Sequence, residues 1–135
     1  MDGVLQLLPF EVLAPVGQLS PEEGEVLVRL SLHRGRAEAI GLAELARLTD
    51  LEPRRVQQVV KHLVELHQVP IGTATRRPCG YYIIESDRER RETRDSHVRR
   101  ALSTLRRARA YDKGGWVYEL VGQVEMRLAP EERRS

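Results

Sequence analysis

The sequence predicts a mainly α-helical chain carrying one small β-hairpin. Three observations predict it: proline-marked helix starts at Ser20-Pro21 and Pro53, apolar residues recurring at helical spacing between Val26 and Leu66, and two β-prone runs, 69–72 and 80–84, around a loop rich in Gly, Thr, Arg and Pro. With 135 residues, 41% of them hydrophobic and 31% charged, the chain has the length of one domain and can bury one modest core. A large two-domain enzyme is excluded.

Residues 1–19 read as an extension packed on the body, apolar from Val4 to Val12 and interrupted by Pro9. Ser20-Pro21-Glu22-Glu23 is a capping box with proline at the first helical position. The helix it starts has Val26, Leu27, Leu30 and Leu32 for a buried face and Gly35 for a stop. Leu42, Leu45, Ala46 and Leu48 mark a second helix ending near Thr49-Asp50, and the turn Leu51-Glu52-Pro53 leads into a third. That third helix carries Val56, Val59, Val60, Leu63 and Leu66 on one side. Two strands follow, with Tyr81 and Tyr82 facing opposite sides of the second, so that one tyrosine belongs to the core and the other is free to meet a phosphate. Three helices followed by a hairpin make residues 20–85 a winged helix.

Residues 86–113 read as a long charged helix with Ser86 as cap, Asp87 and Glu89 in its first turn, and Arg106, Arg107 and Arg109 near its end, as the macrodipole favours. Its stripe of Val98, Ala101, Leu102, Leu105 and Ala108 suits packing on one neighbour or a brief coiled coil, the latter making a homodimer contact. Gly114-Gly115 ends it. In the C-terminal segment, residues 114–135, two patterns compete. Trp116, Tyr118, Leu120, Val124, Met126 and Leu128 alternate as in a strand, whereas Val117, Leu120, Val121, Val124 and Leu128 fit a helix.

Charge is segregated. Residues 1–53 hold 4 Arg against 9 Asp/Glu, a net of −5; residues 54–113 hold 15 Lys/Arg against 7 acids, a net of +8; residues 114–135 come to −1. The middle of the chain therefore calls for an acidic partner, nucleic acid first. A lone Cys79 forms no internal disulfide and points to a reducing, cytoplasmic compartment, where it acts as a small strand filler. No run approaches the ~20 apolar residues of a membrane span. His33, His62, His67 and His97 lack metal-ligand spacing, and the chain has no phosphate loop or nucleophile elbow, so no cofactor, no metal and no enzymatic activity are expected.

In a helix-turn-helix the second helix of the pair enters the major groove. Arg54, Arg55, Gln57, Gln58 and Lys61 occupy that helix with no acid before Glu65. Arg forks onto guanine and Gln onto adenine, while Lys61 meets phosphate as a point charge. Arg76 and Arg77, flanked by Thr73 and Thr75, form the wing tip, suited to the DNA backbone or the minor groove. The competing readings are a solvated helix face and a solvated turn. For the long helix, Arg88, Arg90, Arg91, Arg94, Arg99 and Arg100 alternate with Glu89, Glu92 and Asp95, which favours exposed ion pairs over nucleic-acid contact.

Leu42-Ala43-Glu44-Leu45-Ala46, Arg54-Arg55-Val56, Val69-Pro70-Ile71-Gly72 and Gly80-Tyr81-Tyr82-Ile83, continued by Arg99 to Ala110, resemble the small winged helix-turn-helix DNA-binding proteins of bacteriophages and prophages. The resemblance covers roughly Leu27 to Tyr111. It implies binding of double-stranded DNA through the third helix and wing, in transcription regulation or DNA replication. Glu52 departs from the Ser, Thr or Asp usual before the recognition helix. Near the C-terminus, Gln123, Met126 and Leu128 resemble a bacterial sliding-clamp-binding peptide, although Met126 and Leu128 also suit a core. A winged helix used as a protein-protein interaction module in a replication or chromosome-organising complex is the alternative.

Overall fold

A computed structural model of the chain describes residues 19–132, with side chains through Leu128. The apolar stretch Val4–Val12 lies outside the described residues. Backbone contacts divide the chain into two units, Met1–Arg90 and Arg91–Ser135. In order come α1 (Pro21–Leu30), a 3-10 turn (Arg36–Glu38), α2 (Leu42–Thr49), α3 (Pro53–Glu65), β1 (Ile71–Ala74), β2 (Gly80–Ile83), α4 (Asp87–Arg109) and α5 (Trp116–Glu132). The chain is mainly helical, with a small two-stranded antiparallel sheet.

The reciprocal cap of α1 forms as its sequence dictates. Ser20 Oγ accepts the Glu23 N–H at 3.1 Å, and Glu23 Oε1 accepts the Ser20 N–H at 2.8 Å. The second Glu23 oxygen lies 3.1 Å from the His67 ring, tying the start of α1 to the segment after α3. Burial pushes the Glu23 carboxyl up, but the bonds from Ser20 and the His67 ring outweigh it and hold it below the ordinary 4.5.

Helix α1 stops at Leu30, five residues before the expected Gly35, because the chain beyond it serves the sheet. Gly35 N–H donates to Ile83 O, Ile83 N–H to His33 O, and Ile40 and Tyr81 exchange both of their bonds, each at 2.8 Å. This segment satisfies the edge of β2 that β1 leaves open. Leu32, expected on the buried face, is consequently 68% exposed.

Asp50 ends α2 in the left-handed region at φ 55°, a conformation its short polar side chain tolerates, and this reverses the chain within three residues. Glu52 precedes α3 without a side-chain cap, and Pro53 takes the first helical position. Val56, Val59, Val60 and Leu63 then pack with Val26, Leu27, Leu30 and Leu45 in the main core.

In the hairpin, Ile71 pairs with Ile83 and Ala74 with Gly80. The first strand begins at Ile71, since Pro70 has no N–H to donate, although its carbonyl accepts Ile84 N–H at 2.9 Å. Ile71, Ile83 and Tyr81 join the main core, while Ala74, Tyr82 and Ile84 cluster with Ala39 on the other side. Tyr82 is thus the core tyrosine, while Tyr81 on the opposite face is half-buried against the main core. Cys79 is reassigned: it is exposed in the loop before β2, not a strand filler.

A second capping box starts α4. Glu89 N–H donates to Ser86 Oγ at 3.1 Å, and the Glu89 carboxylate accepts backbone N–H groups from Glu85 at 2.9 Å and Ser86 at 3.4 Å. Its other oxygen accepts the Arg36 N–H at 2.9 Å, pinning the 3-10 turn to the helix start. Burial raises the Glu89 carboxyl, yet these backbone bonds bring it below its ordinary 4.5. Carboxyls depressed in the fold stabilise it above their unfolded pKa and lose that contribution as pH falls through the folded value. The urea midpoint is therefore expected to hold from neutral pH to about 5 and to drop below about 4.5. Glu89→Gln should flatten the drop and lower stability at neutral pH by about 1 kcal/mol; an unchanged pH profile would argue against this role.

In the second unit, residues 116–128 adopt the helical alternative. Leu102 of α4 is buried with Val117, Val121 and Leu128 of α5, so the stripe expected to meet a neighbour finds one in its own chain. Asp112 Oδ2 accepts the Val117 N–H at 2.8 Å and caps α5. Arg106 Nη2 meets Glu125 at 2.9 Å.

Candidate nucleic-acid interface

One turn of an α-helix takes 3.6 residues, so Arg54, Gln57, Gln58 and Lys61 fall on a stripe roughly 100° wide, opposite the apolar side. All four are exposed, and Val56, Val59, Val60 and Leu63 are buried behind them. Among the described residues, Arg54 and Lys61 have no ion-pair or hydrogen-bond partner. His62 and Glu65 continue the exposed face toward the helix end.

Arg55 departs from the expected set. Its Nε lies 3.2 Å from both oxygens of Glu22 on α1, its Nη2 2.8 Å from Glu22 Oε1, and its Nη1 3.2 Å from Gln58 Oε1. The hydrogen bond from Arg55, with its charge, holds the Glu22 carboxyl below the ordinary range, and the same bond raises Arg55. The fork expected to grip guanine is thus occupied by the protein's own carboxylate. These partners stand 33 residues apart, a spacing that carries no sequence signal. Asp50 and Glu52 are exposed just before α3, so that end of the stripe is bordered by acids.

Thr73 is exposed on β1, and Thr75, Arg76 and Arg77 are exposed in the loop that joins the strands. The turn thereby gathers two hydroxyls and two guanidiniums at one end of the hairpin. Neither Arg76 nor Arg77 has an ion-pair partner among the described residues. On α4, by contrast, Arg88, Arg90, Arg94 and Arg99 are all engaged within the molecule.

The three residues of the clamp-peptide pattern are not brought together. Gln123 and Met126 are exposed on α5, Met126 at 75%, while Leu128 is buried against Leu102, Val117 and Val121. Helical geometry turns Leu128 about 160° from Met126. An extended peptide would require α5 to unwind and Leu128 to leave its cluster.

Among the described residues no group of three His, Cys, Asp or Glu side chains is placed to hold a metal ion, and no helix is long and apolar enough to cross a membrane. Comparison of the chain with known protein families, characterised proteins and solved structures gives no match.

Proposed function

We propose that residues 20–85 act as a winged helix that binds double-stranded DNA with sequence preference, serving without catalysis as a transcription regulator or replication accessory of mobile-element type. The observation that carries this reading is the exposed stripe of Arg54, Gln57, Gln58 and Lys61 on α3, in which both cations are unpartnered among the described residues. Supporting it are the tight α2–α3 turn at Asp50 and a hairpin whose second strand is bordered by β1 on one side and by residues 33–40 on the other. Base edges of the major groove offer acceptors to Arg and both partners to Gln, while Lys61 suits a phosphate. At the hairpin tip, Arg76 and Arg77 suit the backbone or the minor groove, where negative potential draws Arg.

Four cations, Arg54, Lys61, Arg76 and Arg77, are available to displace counterions. The logarithm of affinity for a random duplex is therefore expected to fall against the logarithm of salt with a slope of about −3 to −4. Replacing Arg76 and Arg77 by alanine should weaken all duplexes alike and shallow that slope by about 2. Fluorescence anisotropy across a salt series checks both. An absence of duplex binding at low salt, together with capture of one specific acidic protein, would transfer the stripe to a protein-interaction role.

A further inference from the structure

We propose that Glu22 and Arg55 preset Gln58 as a hydrogen-bond donor, so that this position of α3 prefers guanine to adenine; the inference rests on the duplex-DNA reading above. An unconstrained glutamine recognises adenine by using both ends of its amide, accepting from N6 and donating to N7. Guanine presents two acceptors in the major groove, O6 and N7, and requires a donor. Which of the two bases a glutamine prefers thus depends on whether its oxygen or its amide N–H groups are turned toward the base.

The oxygen of Gln58 is turned toward Arg55. Arg55 Nη1 lies 3.2 Å from it, and because a guanidinium only donates, the amide atom on that side must be the oxygen. The guanidinium is itself held, since its Nε and Nη2 both bond Glu22 across the α1–α3 contact at 3.2 and 2.8 Å. Two parallel bonds fix the plane of the fork as well as its distance, which a single bond would leave free to rotate. Arg55 and Gln58 stand three residues apart on one side of α3, the spacing at which helical side chains meet. With the oxygen turned toward Arg55, the two N–H groups of the Gln58 amide are left for an incoming acceptor. Arg55 is in this arrangement a positioning residue, and Glu22 its anchor.

Gln57 provides an internal comparison. Among the described residues its amide has no hydrogen-bond partner, so both ends remain for adenine. One helix thus carries two glutamines with different preferences, separated by a contact to α1 that only one of them receives.

Selection from a random duplex pool, run in parallel with the wild-type chain, Arg55→Ala, Glu22→Ala and Gln58→Ala, tests this, with far-UV circular dichroism confirming that each variant is folded. The wild type should enrich guanine at the position whose preference is lost in Gln58→Ala, distinct from any guanine read by Arg54. Arg55→Ala and Glu22→Ala should each shift that position toward adenine by roughly tenfold, and Gln58→Ala should abolish preference there while leaving the adenine read by Gln57. Recovery of the same base by wild type and Arg55→Ala, with its loss in Gln58→Ala, would overturn the relay while the duplex reading stood. Loss of guanine in Arg55→Ala without gain of adenine would assign the guanine to Arg55 itself and likewise overturn it. Failure of every folded variant and of the wild type to enrich any duplex would remove both readings.

Discussion

Gly80→Ala is expected to destabilise the first unit by about 3 kcal/mol or more, the sum of a strained backbone and a broken strand edge. Gly80 opens β2 at φ +136°, a region in which side chains are strained. A Cβ there would also collide with the Ile40 carbonyl, and this obstacle is backbone, which has no flexible end to swing away. Relief requires Ile40 to retreat, which breaks the two 2.8 Å bonds it exchanges with Tyr81 and leaves buried polar groups unpaired. Urea denaturation followed by circular dichroism measures the effect. Gly122→Ala is the matched control, since a Cβ at that point of α5 meets nothing within 4 Å. It should be neutral or stabilising by up to about 1 kcal/mol. Equal midpoints for the two variants would show that the close approach of Ile40 to Gly80 does not limit stability.

Reversing charge at both free cations of α3, Arg54→Glu with Lys61→Glu, is expected to weaken duplex binding by about a hundredfold or more, since a hydrogen bond from a charged group is worth roughly 1.5–3 kcal/mol. Neither side chain packs in the core or pairs with another described residue, so the melting temperature should change little. Binding and stability are thereby separated, and anisotropy titration beside a thermal melt reads both. A double reversal that left affinity intact would exclude α3 as the contact surface. Arg55→Glu makes an instructive companion because it places a second carboxylate against Glu22. There the melting temperature should fall as well, which marks that residue as part of the α1–α3 contact.

Local rules made several elements legible. Ser20 and Glu23 cap α1 because both halves of that box lie within four residues and need nothing else. Val56, Val59, Val60 and Leu63 fall on one side of α3 by period alone, and the polar stripe opposite follows from the same arithmetic. The box at Ser86 and Glu89 is equally local, but the reach of Glu89 to the Arg36 N–H spans 53 residues and has no pattern to announce it. The early end of α1 at Leu30 was hidden for a related reason: Gly35 reads as a helix stop until β2 claims its N–H. Residues 116–128 offered two periods at once. Leu102 and the Asp112 cap favour the helical one, and each is a contact with residues earlier in the chain.

Interactions spanning a few residues, with helical and strand periodicity, were enough to determine from sequence the three-helix and hairpin order, the caps of α1 and α4 and the sign of charge along the chain. Tertiary structure alone decided which cations remain available. A guanidinium takes whichever carboxylate the fold brings within about 3 Å, and the approach of α1 to α3 gives Arg55 to Glu22 while leaving Arg54 and Lys61 on the open stripe.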